Sequence, residues 1–246
     1  MDREGRFLGL AALGASFVIC AWIGARTIIK IKTDDTMEVT GSARRRIRSD
    51  LVDWSATVSV NAPDVRSGYQ TMKGDVDKVT AFLEKRGVPR AQITVSQVST
   101  KTLTKPVYSN EKEPKIIDQK VVGYELQRTV EVRGNDCDKI AQVARDVTDL
   151  VGEGVNVASG DPRFHYSKLG ELKIQMAAEA AKDCYARARV ISEANGGHVG
   201  KLRSSRLGVI QINAANSTET SSEGNNDTTA IDKDIITVVS STFSLD

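Results

Sequence analysis

The sequence predicts an α+β fold in which duplicated βαβ-type halves form an antiparallel sheet with helices on one face, followed by a long alanine-rich helix and C-terminal strands. Three observations carry this expectation. From Leu51 to Asn61, Val52, Trp54, Ala56, Val58 and Val60 alternate with Asp53, Ser55, Thr57 and Ser59, the period-two signature of a strand with one wet face. After Pro63-Asp64, apolar residues recur at three- and four-residue steps, as on one face of a helix. The order strand, helix, strand then occurs twice between Leu51 and Tyr166.

The chain opens with an uncharged run from Phe7 to Ala25, long enough at about 1.5 Å per residue to span a bilayer core of roughly 30 Å. Residues 7–25 are therefore expected to be a transmembrane anchor or an uncleaved signal, with residues 1–6 cytoplasmic and residues 26–36 a linker. Trp22 suits a membrane interface, and no A-x-A exit follows the run. Arg26, Lys30 and Lys32 outnumber Arg3 and Arg6, so local positive charge alone would keep the C-terminal side inside.

The folded part is expected over residues 37–246. Its first strand is read from Met37 to Arg48 and its second from Leu51 to Asn61. A helix follows with Val65, Tyr69, Met72, Val76, Val79, Phe82 and Leu83 on its apolar face, ended by Gly87. A strand from Ile93 to about Leu103 leads to a polar insertion, Ser109 to Gln119, and then to a strand from Lys120 to Arg133, in which Arg128 interrupts an apolar face. Asn135 or Asp136 caps a helix over Asp138 to Val151. A strand from Val155 to about Tyr166 precedes the longest helix, Leu169 to Ala194, rich in alanine and stopped by Gly196-Gly197. Strands Leu202 to Ile212 and Ile235 to Leu245 flank a flexible loop, residues 213–230, whose core Asn213 to Asp227 is dominated by Asn, Ser, Thr and Glu.

Charge and motifs narrow the function. A net charge of +2 with 27% charged residues gives no electrostatic footprint for nucleic acid. His165 and His198 stand in no metal-ligand spacing, and phosphate-loop and nucleophile-elbow motifs are missing from the sequence. Gly196 through Gly200 follows a helix and reads as a terminator. Asp183 and Arg187 form a one-turn ion pair. Arg44, Arg45, Arg46 and Arg48 are the one dense basic cluster, read as a solvated strand edge or as a contact for anionic lipid or an acidic partner. Cys137, near a helix N-terminus, would be a low-pKa thiol if exposed, although Asp136 and Asp138 oppose the thiolate. With Cys184 it is one of two thiols able to bridge; Cys20 lies within the apolar run. No catalytic, cofactor-binding or metal residue is assigned.

Several strings in this order resemble the SIMPL-domain family: Glu38-Val39-Thr40-Gly41, Val122-Gly123-Tyr124, Gly154-Val155-Asn156, the helix around Ala180 to Ala188, and above all Gly196-Gly197-His198-Val199-Gly200-Lys201-Leu202-Arg203-Ser204 continuing through Gly208 to Ile212. They are echoed by Asp227-Thr228-Thr229 and Lys233-Asp234-Ile235. His198 stands where the family string is expected to carry Lys. The resemblance spans Met37 to Asp246 and implies export to the periplasm or outer envelope, ring-like homo-oligomers in some members, and links to oxidative-stress defence in bacteria and to signalling adaptors in animals. It attaches no enzymatic activity. The expectation is thus a non-enzymatic, single-pass inner-membrane protein with its SIMPL-like domain in the periplasm, self-assembling through strand edges and the alanine-rich helix and linked to oxidative or envelope stress. The alternative is an envelope binding module that grips a peptide, glycan or protein partner through loops 109–119 and 213–227.

Overall fold

The computed structural model describes residues 14–26, 35–108 and 116–245. Residues 14–26 form a helix, α1, with Phe17, Val18 and Trp22 exposed. The anchor expected over residues 7–25 begins outside the described residues. The described turns of α1 reach roughly 20 Å against about 30 Å for a bilayer core. Among the described residues no helix is long and apolar enough to cross a membrane. The described fold therefore does not supply the predicted transmembrane helix.

The remaining elements are β1 (Thr36–Arg48), β2 (Leu51–Ala62), α2 (Val65–Lys85), β3 (Ile93–Val95), β4 (Ser99–Tyr108), β5 (Ile116–Gly134), α3 (Cys137–Asp146), β6 (Val157–Ser159), β7 (Arg163–His165), α4 (Leu169–Ala194), β8 (Val199–Leu207), β9 (Gln211–Ala214) and β10 (Asp232–Leu245). The chain divides into two compact units. One holds residues 44–173 and 210–235, the other residues 1–43, 174–209 and 236–246.

The larger unit contains the duplicated halves. β2-α2-β3 and β5-α3-β6 interleave in one antiparallel sheet of order β3-β5-β2-β6, the arrangement of a ferredoxin-like split βαβ fold. The alternation in β2 does what its period requires, since Val52, Trp54, Ala56 and Val58 are buried together with Leu126, Val130 and Val132 of β5. Met72, Val76, Val79 and Leu83 of α2 and Ile140, Val143 and Ala144 of α3 close this core. Asp64 caps α2 by accepting from the N–H groups of Arg66 and Ser67 at 3.0 Å, and Asp136 caps α3 through Lys139 N–H at 3.1 Å. Two residues expected on the inner face of α2, Val65 and Tyr69, are exposed. Gly68 takes the buried place between them, because a Cβ there would lie 2.6 Å from Leu126 Cδ1.

Three strands expected to be continuous are each divided in two. Between β3 and β4, Arg128 Nε donates to Ser96 O at 2.8 Å and Thr129 N–H to Ser96 Oγ at 2.9 Å, so the arginine that interrupts the apolar face of β5 holds the kink. The strand after α3 splits around Gly160, whose carbonyl accepts from Trp54 Nε1 at 3.0 Å. The strand predicted from Leu202 to Ile212 becomes β8 and β9, Gly208 N–H making the last rung of β8 to Val238 O at 2.8 Å. The helix predicted to Val151 tightens into a 3-10 turn over Val147–Glu153.

The loop expected to be flexible over residues 213–230 is organised instead. Gln211 donates to Ser221 O at 2.7 Å and accepts from Asn225 N–H at 2.9 Å; Asn213 donates to Glu219 O at 2.7 Å. Both side chains are buried, so their polar groups require these partners. Lys233 is pinned in the same region, its ammonium donating to Phe164 O at 2.6 Å and Asp227 O at 2.5 Å. Burial pushes its pKa down.

The C-terminal strands do not extend the first sheet. They form a second one, of order β1-β10-β8 with β9 on β10. In the smaller unit α4 packs through Met176, Ala180, Cys184, Ala188 and Ser192, one buried residue every four positions. Cys184 and Ala188 meet Val39 and Phe243 in this core. The helix comes so near β1 that a Cβ on Gly41 would lie 2.5 Å from Ala180 O and from Cys184 Cα. Cys184 Sγ donates to Val39 O at 3.1 Å and Ser42 N–H to Asp183 Oδ2 at 2.8 Å.

Because helix backbone occupies the space a side chain would need, Gly41→Ala is expected to destabilise the protein by about 2–3 kcal/mol, the upper range of overpacking. Chemical denaturation checks this, and a change within error would mean that β1 and α4 separate easily.

Candidate functional site

The basic cluster read from the sequence is an internal clasp of the larger unit. Arg44, Arg46 and Arg48 occupy alternate positions of β1 and so point to one face. Asp234, with a side chain only 2% exposed, accepts from Arg44 Nη2 at 2.7 Å and from Arg46 Nε and Nη2 at 3.0 Å each. Asn216 N–H adds a fourth donor at 2.9 Å, while its own Oδ1 accepts from Arg46 at 2.7 Å. Asn216 holds φ at 68°, a left-handed conformation that asparagine tolerates. Arg48 bridges Asp138 at 2.6 Å and Asp232 at 3.0 Å. The donors on Asp234, Arg46 first, hold its carboxyl well below the usual carboxylate range. β1 is an edge strand and the side chains of Arg44, Arg46 and Arg48 stay about half exposed, so the solvated-edge reading holds for their position, while their pairing with Asp234, Asp138 and Asp232 leaves no free basic patch.

The wet face of the larger sheet carries an open cleft of about 740 Å³, lined in part by Asp53, Ser55, Glu131, Arg133, Asp161 and Arg163, with Thr228 and Thr229 from the end of the organised loop. Arg133 Nε bonds Asp53 Oδ1 at 2.5 Å, and His165 Nε2 lies 3.6 Å from Asp53 Oδ2. Paired charges and hydroxyls in an open cleft suit polar, reversible recognition. The alternation of β2 predicted Asp53 and Ser55 as a wet face; the cleft itself also needed Gly160 to Arg163 and Thr228, whose approach to that face no local periodicity marks.

The third feature is an arm. β4 pairs with β5 from Ser99↔Gln127 to Tyr108↔Ile116, whereas β2 reaches β5 only from Tyr124 onward. The ribbon therefore runs beyond the body of the sheet, and among the described residues its outer part has no third strand. Tyr108, Ile116, Ile117, Val121 and Val122 are exposed there, Ile117 at 65%. Pro106 lies in β4 opposite Gln119. The insertion expected over Ser109 to Gln119 falls partly outside the described residues, and its last residues, from Ile116, belong to β5.

The other marked residues are structural. Cys137 is buried, donating to Ser49 O at 3.3 Å, and burial first, then Asp138, pushes its thiol pKa up, which overturns the low-pKa reading. Cys137 and Cys184 are free thiols and do not bridge. Asp183 and Arg187 pair at 2.8 Å. Gly196 has φ 79° and Gly197 N–H returns to Ser192 O, as a helix terminator should. His198 is exposed beyond that turn.

The model of the SIMPL family, described as a protein of unknown function (DUF541), matches residues 37–243, and the chain belongs to that family. No curated protein matches it. Among solved structures it is similar to a hydantoinase/carbamoylase family amidase from Burkholderia ambifaria, at 17% identity over 49% of this chain and 28% of that one, with a TM-score of 0.25. A second amidase of that description, from Burkholderia multivorans, gives 12% identity over 56% and 32%, TM-score 0.26. The regulatory subunit of aspartate kinase from Thermus thermophilus, in its ligand-free form, gives 13% identity over 81% and 87%, TM-score 0.20. The chain thus spans about a third or less of the length of these amidases, and similarity at this level carries no argument about activity.

A carboxylate held below its ordinary value stabilises the fold above its unfolded-state pKa of about 3.9, and this stabilisation is lost as pH falls through the folded value. Asp234→Asn is expected to destabilise the protein at neutral pH by about 2–3 kcal/mol, the usual range for a hydrogen bond to a charged group. The variant should also lose part of the decline in stability below about pH 4. Denaturant titrations from acid to neutral pH check both effects.

Proposed function

We propose that this SIMPL-family protein is a non-enzymatic component of the cell envelope that assembles with copies of itself. In this reading residues 7–25 hold it at the inner membrane as a single-pass anchor, residues 1–6 stay in the cytoplasm, and the domain over residues 37–246 works in the periplasm in oxidative or envelope stress defence. The uncharged run supports the anchor, and the family resemblance supports the address and the process.

The observation that carries self-assembly is the β4–β5 arm. A two-stranded ribbon is marginal alone in water, and this one shows apolar residues on both faces and backbone edges ready to pair. A second copy offers the same apolar, edge-bearing ribbon, so the contact can be self-complementary. The open cleft favours a second reading, in which the chain recognises a peptide or glycan there.

Ile117→Asp with Val121→Asp should shift the mass of the full chain in detergent from an oligomer to a monomer while leaving its circular dichroism unchanged. An unaltered oligomer, or a wild-type chain that is already monomeric at high concentration, would refute assembly through the arm.

A further inference from the structure

We infer that β8 is a docking strand for an anionic lipid surface. It lies at the edge of the β1-β10-β8 sheet, and every residue from Lys201 to Leu207 is exposed. Three of these are basic, Lys201, Arg203 and Arg206, and no acidic residue occurs between Glu193 and Glu219. Leu202 and Leu207, with Val209 just beyond, are 57%, 52% and 46% exposed. Leu202 and Leu207 share the face of buried Phe243 and Val239, and Arg206 the face of Ser240, so β8 would meet a bilayer edge-on, with phosphates taking the charges and the acyl boundary the apolar side chains.

The course of the chain favours a membrane over a soluble polyanion. Leu245 N–H donates to Asp35 O at 2.8 Å, and Leu245 pairs with Val199. The start of β1 and the start of β8 thus sit at the same end of the smaller unit, two strands or about 10 Å apart. Residues 27–35 join α1 to β1, a connection of at most roughly 30 Å. The inference rests on the anchored reading given above: a body tied to a bilayer at that end keeps β8 within reach of head groups.

The test uses the full chain with Cys20→Ser, labelled with a fluorophore at Ser204→Cys; the native thiols Cys137 and Cys184 are buried. It is reconstituted into phosphatidylcholine vesicles with or without about one-third phosphatidylglycerol, containing a head-group spin-labelled lipid. Quenching is expected only with the anionic lipid, to weaken in about 0.5 M salt, and to fall about fivefold or more in Lys201→Glu with Arg206→Glu. Equal quenching in both vesicles, or quenching unchanged in a folded double variant, overturns the inference. Alkaline carbonate extraction reads the anchor separately. Should extraction strip the chain, the anchored reading falls, and docking survives only if the chain still floats with anionic vesicles at low salt and the double variant does not.

Discussion

A carboxylate removed from water must find donors, and Asp234 finds four. Its partners Arg44 and Arg46 stand in β1, 190 and 188 residues away, and Asn216 lies in the turn after β9. One buried charge therefore fixes the register of the first strand against the last and shapes the turn that enters the organised loop. Charge pairs of this kind add modest net stability and are costly to break in half, which suits a device that specifies an arrangement. Arg48 extends the clasp to Asp232 and to Asp138 in the first turn of α3, so strand pairing and helix position share one set of interactions.

Elements governed by local periodicity were legible in the sequence. β2, α2 and α4 follow from apolar spacing, and the caps at Asp64 and Asp136 from residue type. The breaks were not, because Ser96, Gly160 and Gly208 end their strands at contacts set by residues distant in sequence, such as Arg128 on Ser96 and Trp54 on Gly160. Nor was the second sheet, since strand order along the chain cannot reveal that the first strand pairs with the last. The arginine cluster was conspicuous from composition, yet its meaning depended on acids distant in sequence. Loop 213–230 misled for a related reason. Its composition is that of a mobile segment, whereas Gln211 and Asn213, at its entrance, bond its backbone from beneath.

The two units use different packing. In the larger one, branched and aromatic side chains fill the space under two helices. In the smaller one, α4 approaches so closely that side chains give way to backbone; Gly41 has no room for a Cβ, and Ala180 and Ala188 are fully buried on the facing helix. A sequence rich in alanine over one helix thus reads correctly as a close-packed face, although the surface it meets is a strand of the same unit.

The proline of the arm has a further effect. The β4–β5 ladder continues through the Pro106↔Gln119 pair, so the amide hydrogen that proline lacks is subtracted from the outer rim of β4. A foreign strand aligned there meets a missing rung. The ribbon keeps its greasy sides while its rim resists the addition of a further strand.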